Sequence, residues 1–205
     1  MSHFPRIALI SACAAALAAC TTTYTGPVEV TSFAAETRDA VTPGPIALEF
    51  PEEMSNQRAR FAFEQAVAEE LRNQGYEIAM EAAADTQVAT IRTSRSALSQ
   101  GSSRGPVNVG VGGSTGSYGS GLGVGIGINL GGGDNGPRVM SELSVRITDT
   151  QGRVRWEGRA QQPVSLKSPY ADVDASARAL AAALFRDFPN GNGDTITIDV
   201  DELTE

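Results

Sequence analysis

The sequence predicts an α+β domain: two helices packed on one face of a mostly antiparallel β-sheet, with a glycine-rich β-hairpin or loop insertion. Three observations lead there. Two amphipathic stretches have helical length, roughly six or more short stretches alternate in polarity, and a glycine-dense segment interrupts the strands.

Val28, Val30 and Ser32 alternate with Glu29, Thr31 and Phe33, so a first strand is expected over Val28–Ala34. Pro43-Gly44-Pro45 is a turn, and Ile46–Phe50 a second short strand stopped by Pro51. A helix is expected over Asn56–Gln74 with Ser55 as its N-cap. Ala59, Phe63, Ala66, Val67 and Leu71 make its apolar face, with Glu70 at the polar edge. Gly75 sits where a helix takes a left-handed C-cap residue. Strands follow at Tyr76–Met80 and, after an alanine-rich turn, at Thr86–Thr93.

Residues 101–136 hold 15 of the chain's 22 glycines. Leu122, Val124, Ile126, Ile128 and Leu130 alternate with Gly123, Gly125, Gly127 and Asn129, which is a strand pattern, apolar on one face and bare on the other. Val107, Val109 and Val111 could form its partner across a turn at Ser114–Ser120. A flat apolar strand of this kind suits strand addition to a partner or a second copy, or contact with a membrane; the alternative is a flexible insertion. Leu122, Val124, Ile126, Ile128 and Leu130 are the candidate interaction element.

Val139–Thr148 and Arg153–Gln161 form the clearest hairpin, joined by Asp149-Thr150-Gln151-Gly152. Trp156 alternates with Val154 and Gly158 and is expected in the core. The last helix is expected over Pro169–Phe188, with Ser168 as cap and Pro169 at the first helical position. Val173, Ala177, Leu180, Ala181, Leu184, Phe185 and Phe188 form its stripe. Thr195–Val200 is the final strand.

The N-terminus has the order of a secretory signal: Arg6, an apolar run from Ile7 to Ala16, then Leu17-Ala18-Ala19-Cys20. The run is shorter than the roughly 20 residues that span a bilayer. Leu-Ala-Ala-Cys resembles the bacterial lipobox, which implies cleavage before Cys20 and diacylglycerol on its sulfur. The expected organisation is a lipoprotein signal at 1–19, a lipidated tether at 20–27 and one domain over 28–205. Loss of Arg6 leaves 15 basic against 24 acidic residues, a net charge of −9. That balance argues against nucleic acid as a partner and offers no polybasic support for lipid binding. Attachment then falls to acyl chains. With Cys13 in the signal and Cys20 acylated, no disulfide can form within the mature chain.

From Val28 onward the chain carries Leu71-Arg72-Asn73-Gln74-Gly75-Tyr76, Asp85-Thr86-Gln87-Val88 and, above all, the stretch Leu143–Asp149 followed by Gly152–Gly158. With these motifs it resembles the bacterial lipoprotein family called domain of unknown function 4136. The resemblance implies an envelope lipoprotein and supplies no catalytic residue.

Catalytic chemistry finds few residues. The only histidine, His3, leaves with the signal, so serine–histidine and cysteine–histidine arrangements and histidine–cysteine zinc sites are unavailable to the mature chain. A phosphate loop needs glycine before lysine at a helix start, and the only lysine is Lys167. Asn190, Asn192 and Asp194 have the spacing of calcium-loop ligands, but Thr195 stands where glycine is required, and Gly191 and Gly193 read as a turn. Asp199, Asp201 and Glu202 read as a solvated end, and Asp172 and Asp174 as favourable charges at a helix N-terminus. Glu64, Glu69 and Glu70 share a helix with Arg60 and Arg72 and read as an exposed charged face. No cofactor or metal is expected. The expectation is a non-catalytic lipoprotein of the cell envelope, with a binding or assembly role at the periplasmic face of the outer membrane. Alternatives are a carboxylate-dependent envelope hydrolase, favoured by convergent buried acids, and a carrier of a lipid or other hydrophobic ligand, favoured by an apolar pocket under the helices.

Overall fold

A computed structural model describes residues 23–35, 42–51, 56–98 and 137–203. The signal segment, Cys20, Ser55 and the glycine-rich stretch with Leu122, Val124, Ile126, Ile128 and Leu130 lie outside the described residues.

In chain order the elements are β1 (Val28–Ala34), β2 (Pro45–Glu49), α1 (Gln57–Asn73), β3 (Glu77–Ala79), β4 (Gln87–Leu98), β5 (Arg138–Thr148), β6 (Val154–Ser165), α2 (Val173–Phe185) and β7 (Asn192–Ile198). Short 3₁₀ turns occupy Pro169–Ala171 and Val200–Leu203. The strands make one sheet in the order β3-β2-β4-β5-β6-β1-β7. It is a mixed sheet: β2 runs parallel to β3 and β4, and the other neighbours are antiparallel. The parallel corner follows from connectivity, because α1 lies between β2 and β3 and a helical crossover returns the chain in the same direction. The α+β class with helices on one face is the one expected from the sequence.

Period-two burial decides which sheet face is covered. Val28 and Val30 of β1, Ala89 and Ile91 of β4, Leu143, Val145 and Ile147 of β5, and Trp156 and Ala160 of β6 are all buried. Phe63, Val67 and Leu71 of α1 and Leu180, Leu184 and Phe185 of α2 close over them. Trp156 is 1% exposed. Its ring stacks on Phe185 at 5.5 Å between centroids and meets Phe188 edge-on at 5.0 Å. Its indole N–H donates to the Asn190 carbonyl at 3.2 Å. Gly158 is the partner of this packing: a Cβ there would lie 2.5 Å from the Trp156 ring and 2.8 Å from Leu184.

Helix ends carry most of the differences from expectation. Asn56 is the N-cap of α1, its side chain accepting from the Ala59 N–H at 3.1 Å. Gly75, at φ 88°, closes the helix as expected. Its N–H donates to the Arg72 carbonyl, and the Tyr76 N–H reaches back to Leu71. The second helix starts later than Pro169. Ser168 caps only the 3₁₀ turn, through Tyr170, and Asp172 caps α2 by accepting from the Asp174 and Ala175 N–H groups. Two capping side chains four residues apart divide the segment. β4 and β6 continue to Leu98 and Ser165, beyond their expected ends, because each pairs with β5 along its whole length. β7 begins at Asn192 and ends at Ile198, where a 3₁₀ turn replaces the expected end of the strand.

The β5–β6 turn is built on one carboxylate. Asp149 accepts from the Gln151 and Arg153 N–H groups, both at 2.9 Å, and from the Arg153 and Arg155 guanidiniums at 2.9 and 2.8 Å. Gly152 supplies the required positive φ of 75°. Desolvation opposes the Asp149 charge, but the backbone donors of Arg153 and Gln151 and the two guanidiniums outweigh it, so the carboxyl titrates well below the usual carboxylate range.

Trp156→Ala should destabilise the domain by about 3–5 kcal/mol, read as a lower urea midpoint; an unchanged midpoint would remove the ring from the core. Asp149→Asn should lower the thermal midpoint at neutral pH. A depressed folded-state pKa contributes stability above the unfolded value of about 3.9 and loses it as pH falls through the folded value. The gap between wild type and variant should therefore close as the medium is made strongly acidic. A gap independent of pH would contradict this account.

Candidate functional site

The helices cover one face of the sheet, and the opposite face carries polar residues in cross-strand rows. Arg92, Ser144, Arg159 and Thr31 are successive partners across β4, β5, β6 and β1. The next row holds Thr90, Arg146, Glu157 and Phe33, and the row on the other side Ser94, Glu142, Gln161 and Glu29. A shallow depression of about 330 Å³ lies over the first two rows, lined by Thr31, Phe33, Arg92, Ser144, Arg146, Glu157, Gly158 and Arg159.

Charges on this face are arranged in pairs. Arg146 meets Glu157 at 3.0 Å, Arg159 pairs with Glu142, and Gln161 donates to Glu29 at 2.9 Å. Thr31 and Thr195 join their hydroxyls at 2.7 Å. Solvent-exposed pairs of this kind contribute about 0–1 kcal/mol each. They order the face more than they stabilise it. Phe33 is the exception in character: it is 51% exposed on this polar surface. Its ring rests over Gly193, where a Cβ would stand 2.5 Å from it, and Gly193 holds φ 89°. The surface thus offers an apolar ring beside guanidiniums and hydroxyls, a combination suited to binding a partner.

A second concavity of about 550 Å³ opens between the outer sides of the helices. Ala66, Glu69 and Glu70 of α1 face Ala175, Arg178, Ala179 and Ala182 of α2, with Tyr170 and Leu203 at the rim. Of the three acids expected on the exposed charged face of this helix, Glu69 and Glu70 line the groove and Glu64 does not. Burial raises the Glu70 pKa, a hydrogen bond from Asn73 works against the rise, and the neighbouring Glu69 charge adds to it.

The Asn190, Asn192 and Asp194 run is not the turn expected from its glycines: Asn190 precedes β7, and Asn192 and Asp194 are among the first residues of that strand. Asn192 donates to the Asp194 carboxylate at 2.6 Å and accepts from the Asp194 N–H at 3.0 Å. The Asn190 carbonyl is taken by Trp156 and by the Ser32 hydroxyl, both at 3.2 Å. Asp172 and Asp174 sit at the α2 N-terminus as expected, and both also bond Arg58 of the neighbouring helix. Among the described residues no group of three or more histidine, cysteine, aspartate or glutamate side chains could hold a metal ion. No helix among them is long and apolar enough to cross a membrane.

Residues 32–190 match the family model described as Domain of unknown function (DUF4136). This chain belongs to the DUF4136 family. The match runs from Ser32 within β1 to the turn after α2, so β7 and the first four residues of β1 of this DUF4136 protein lie outside it. Among curated proteins, none matches the chain. Solved structures are similar to it in part. A PDZ domain protein from Parabacteroides distasonis aligns at 15% identity and a TM-score of 0.44, covering 90% of this chain and 41% of that one. The DUF4136 chain therefore spans less than half the length of that protein. A PelC dodecamer from Paraburkholderia phytofirmans aligns at 12% identity and a TM-score of 0.41, covering 77% and 94%. With both scores below 0.5, neither likeness carries a function to this DUF4136 protein.

The open-face rows were not foreseen from the sequence. The signal available was the polar half of each strand's alternation, but which polar residues become neighbours depends on register. Glu70→Gln should raise the thermal midpoint at neutral pH. A raised folded-state pKa means that the ionised group costs stability once pH exceeds the unfolded value, and that cost is absent below it. Wild type and variant should melt alike near pH 3, a strongly acidic point well below the usual glutamate pKa of about 4.3. A midpoint lowered at neutral pH would show that the Glu70 carboxylate is stabilising.

Proposed function

We propose that this protein is a lipid-anchored lipoprotein of the cell envelope, held by Cys20, with a non-catalytic binding or assembly role at the periplasmic face of the outer membrane. The observation that carries the reading is the β4–β5 pair. These two strands run antiparallel without a break to the pair Leu98–Arg138. The glycine-rich insertion begins and ends beside that pair. A stiff, fully paired base for an insertion whose sequence alternates apolar residues with glycine is what a binding element requires. Leu122, Val124, Ile126, Ile128 and Leu130 supply its apolar side. The one-sided helix cover adds a second binding surface, the polar face around Phe33 and Arg146.

The lipobox-like Leu17-Ala18-Ala19-Cys20 supports the anchor, and Thr21 after the cysteine suits outer-membrane sorting of the enterobacterial kind. Cys20→Ala should release the protein into the soluble periplasmic fraction. Retention in the membrane fraction would count against lipidation. Deleting Gly105–Gly136 should preserve cooperative unfolding, since the β4–β5 ladder is complete without it, and abolish crosslinking to a partner or a second copy in intact cells. Crosslinks that persist after the deletion would sink the binding role of the segment.

A further inference from the structure

Residues 23–27 are locked onto the end of β6. Thr25 bridges Val164, the Gly26 N–H donates to the Pro163 carbonyl at 2.9 Å, and the Tyr24 carbonyl accepts from the Ser165 N–H at 3.0 Å. Side chains reinforce the attachment. The fully buried Gln162 donates to the Gly26 carbonyl at 3.0 Å, and the Thr25 and Ser168 hydroxyls meet at 2.7 Å. Thr25 therefore has a fixed place on the domain, only five residues after Cys20. Extended chain covers at most about 3.6 Å per residue, so these residues span no more than about 18 Å. The polar layer of a bilayer leaflet is itself roughly 5–8 Å thick. If Cys20 is acylated, which is the reading proposed above and on which this inference rests, this end of the sheet is confined near the headgroups.

The composition of that end fits such a position. The strand ends and the turn that form it are 23–27, 94–98, 137–141 and 162–171; Asp172 and Asp174, which follow at the start of α2, are paired with Arg58. The four segments include Arg95, Arg138 and Lys167 and no aspartate or glutamate, in a chain with 24 acids and a net charge of −8. Lys167 is the chain's only lysine. It is exposed beside Leu166, which is 51% exposed on the turn after β6. The turn is held by the Leu166 N–H donating to the Pro137 carbonyl at 3.1 Å. Arg138 lies beneath the Tyr24 ring at 4.1 Å and supports it. Glu29, whose charge also reaches Tyr24, is bound by Gln161 further along the sheet. An interfacial aromatic, an exposed leucine and the exposed cations Arg95 and Lys167 match the chemistry of an anionic phospholipid surface.

We infer that the sheet end bearing Tyr24, Arg95, Leu166 and Lys167 is the membrane-facing surface of this domain and seats on anionic phospholipid headgroups. Lys167 contacts phosphates while Leu166 enters the interface. The strands then rise from the bilayer. Eleven residues of β5 cover about 35 Å, which carries the Asp149 turn away from the membrane.

The test uses acylated full chain in vesicles of phosphatidylethanolamine and phosphatidylglycerol. With Cys20 acylated, an introduced cysteine is the only free thiol. A fluorophore is placed in turn at Leu166→Cys, at Gln151→Cys on the far turn and at Ser144→Cys on the open sheet face, and quenching by nitroxide-labelled lipid is measured. Severalfold stronger quenching at position 166 is expected. Adding Lys167→Glu should weaken it on these vesicles and leave it unchanged on phosphatidylcholine. Equal quenching at the three positions, or the strongest at 144 or 151, would overturn the orientation. Indifference to Lys167→Glu would overturn the headgroup contact. The mass of the protein separates the two readings: an acyl mass on Cys20 with equal quenching defeats the orientation alone, and no acyl mass defeats the anchor and the orientation together.

Discussion

The packing of Trp156 between Gly158 and α2 is the constraint on which the rest of the fold depends. The indole lies flat against Phe185 and edge-on to Phe188, and the missing side chain at Gly158 lets Leu184 approach the same strand. Close approach at this point sets the height of α2 over the sheet. It also ties the loop after α2 to the core, because the indole N–H is satisfied by the Asn190 carbonyl. A buried indole donor without a partner would cost about 1–3 kcal/mol. The loop conformation and the core are therefore one arrangement, and β7 starts where that loop delivers the chain beside β1.

One-sided cover has a consequence for function. With both helices committed to one face, the other face meets solvent and must be polar. It is so in ordered rows, with arginine beside glutamate and threonine beside threonine. Phe33 stands among them as an exposed ring supported by Gly193. The long β4–β5 ladder extends past β2, which pairs with β4 only over Gln87–Thr90. Beyond β2 the ends of β4, β5 and β6 pair with one another, and residues 23–27 close against the buried end of β6.

Local signals in the sequence and the observed elements agree where the physics is local. Gly75 after a helix and Asp149 through Gly152 between two alternating segments each specify their turn through a positive φ or a carboxylate capping nearby N–H groups. Elsewhere two local signals compete. Ser168 and Asp172 can both cap, and both do, so a 3₁₀ turn precedes the helix instead of one continuous helix. Asn56 caps α1 with a side-chain oxygen that sequence order alone leaves equivalent to its neighbour Ser55. The ends of β4 and β6 carry no stop signal in alternation, because serine and glutamine are compatible with strand and loop alike. Their length is decided by the partner, β5.

By itself the sequence determined the α+β class, the two helix faces, the core role of Trp156 and the likeness to the DUF4136 family, since periodicity, caps and glycine positions act within a few residues. Tertiary structure alone decided the strand order, the parallel corner around β2, the polar rows on the open face and the locking of Tyr24–Gly26 onto β6. Each of these joins residues far apart in the chain, as Thr25 to Val164 or Phe33 to Glu157. Such pairings are selected by the register that buries one face of every strand at once, and no single segment contains that information.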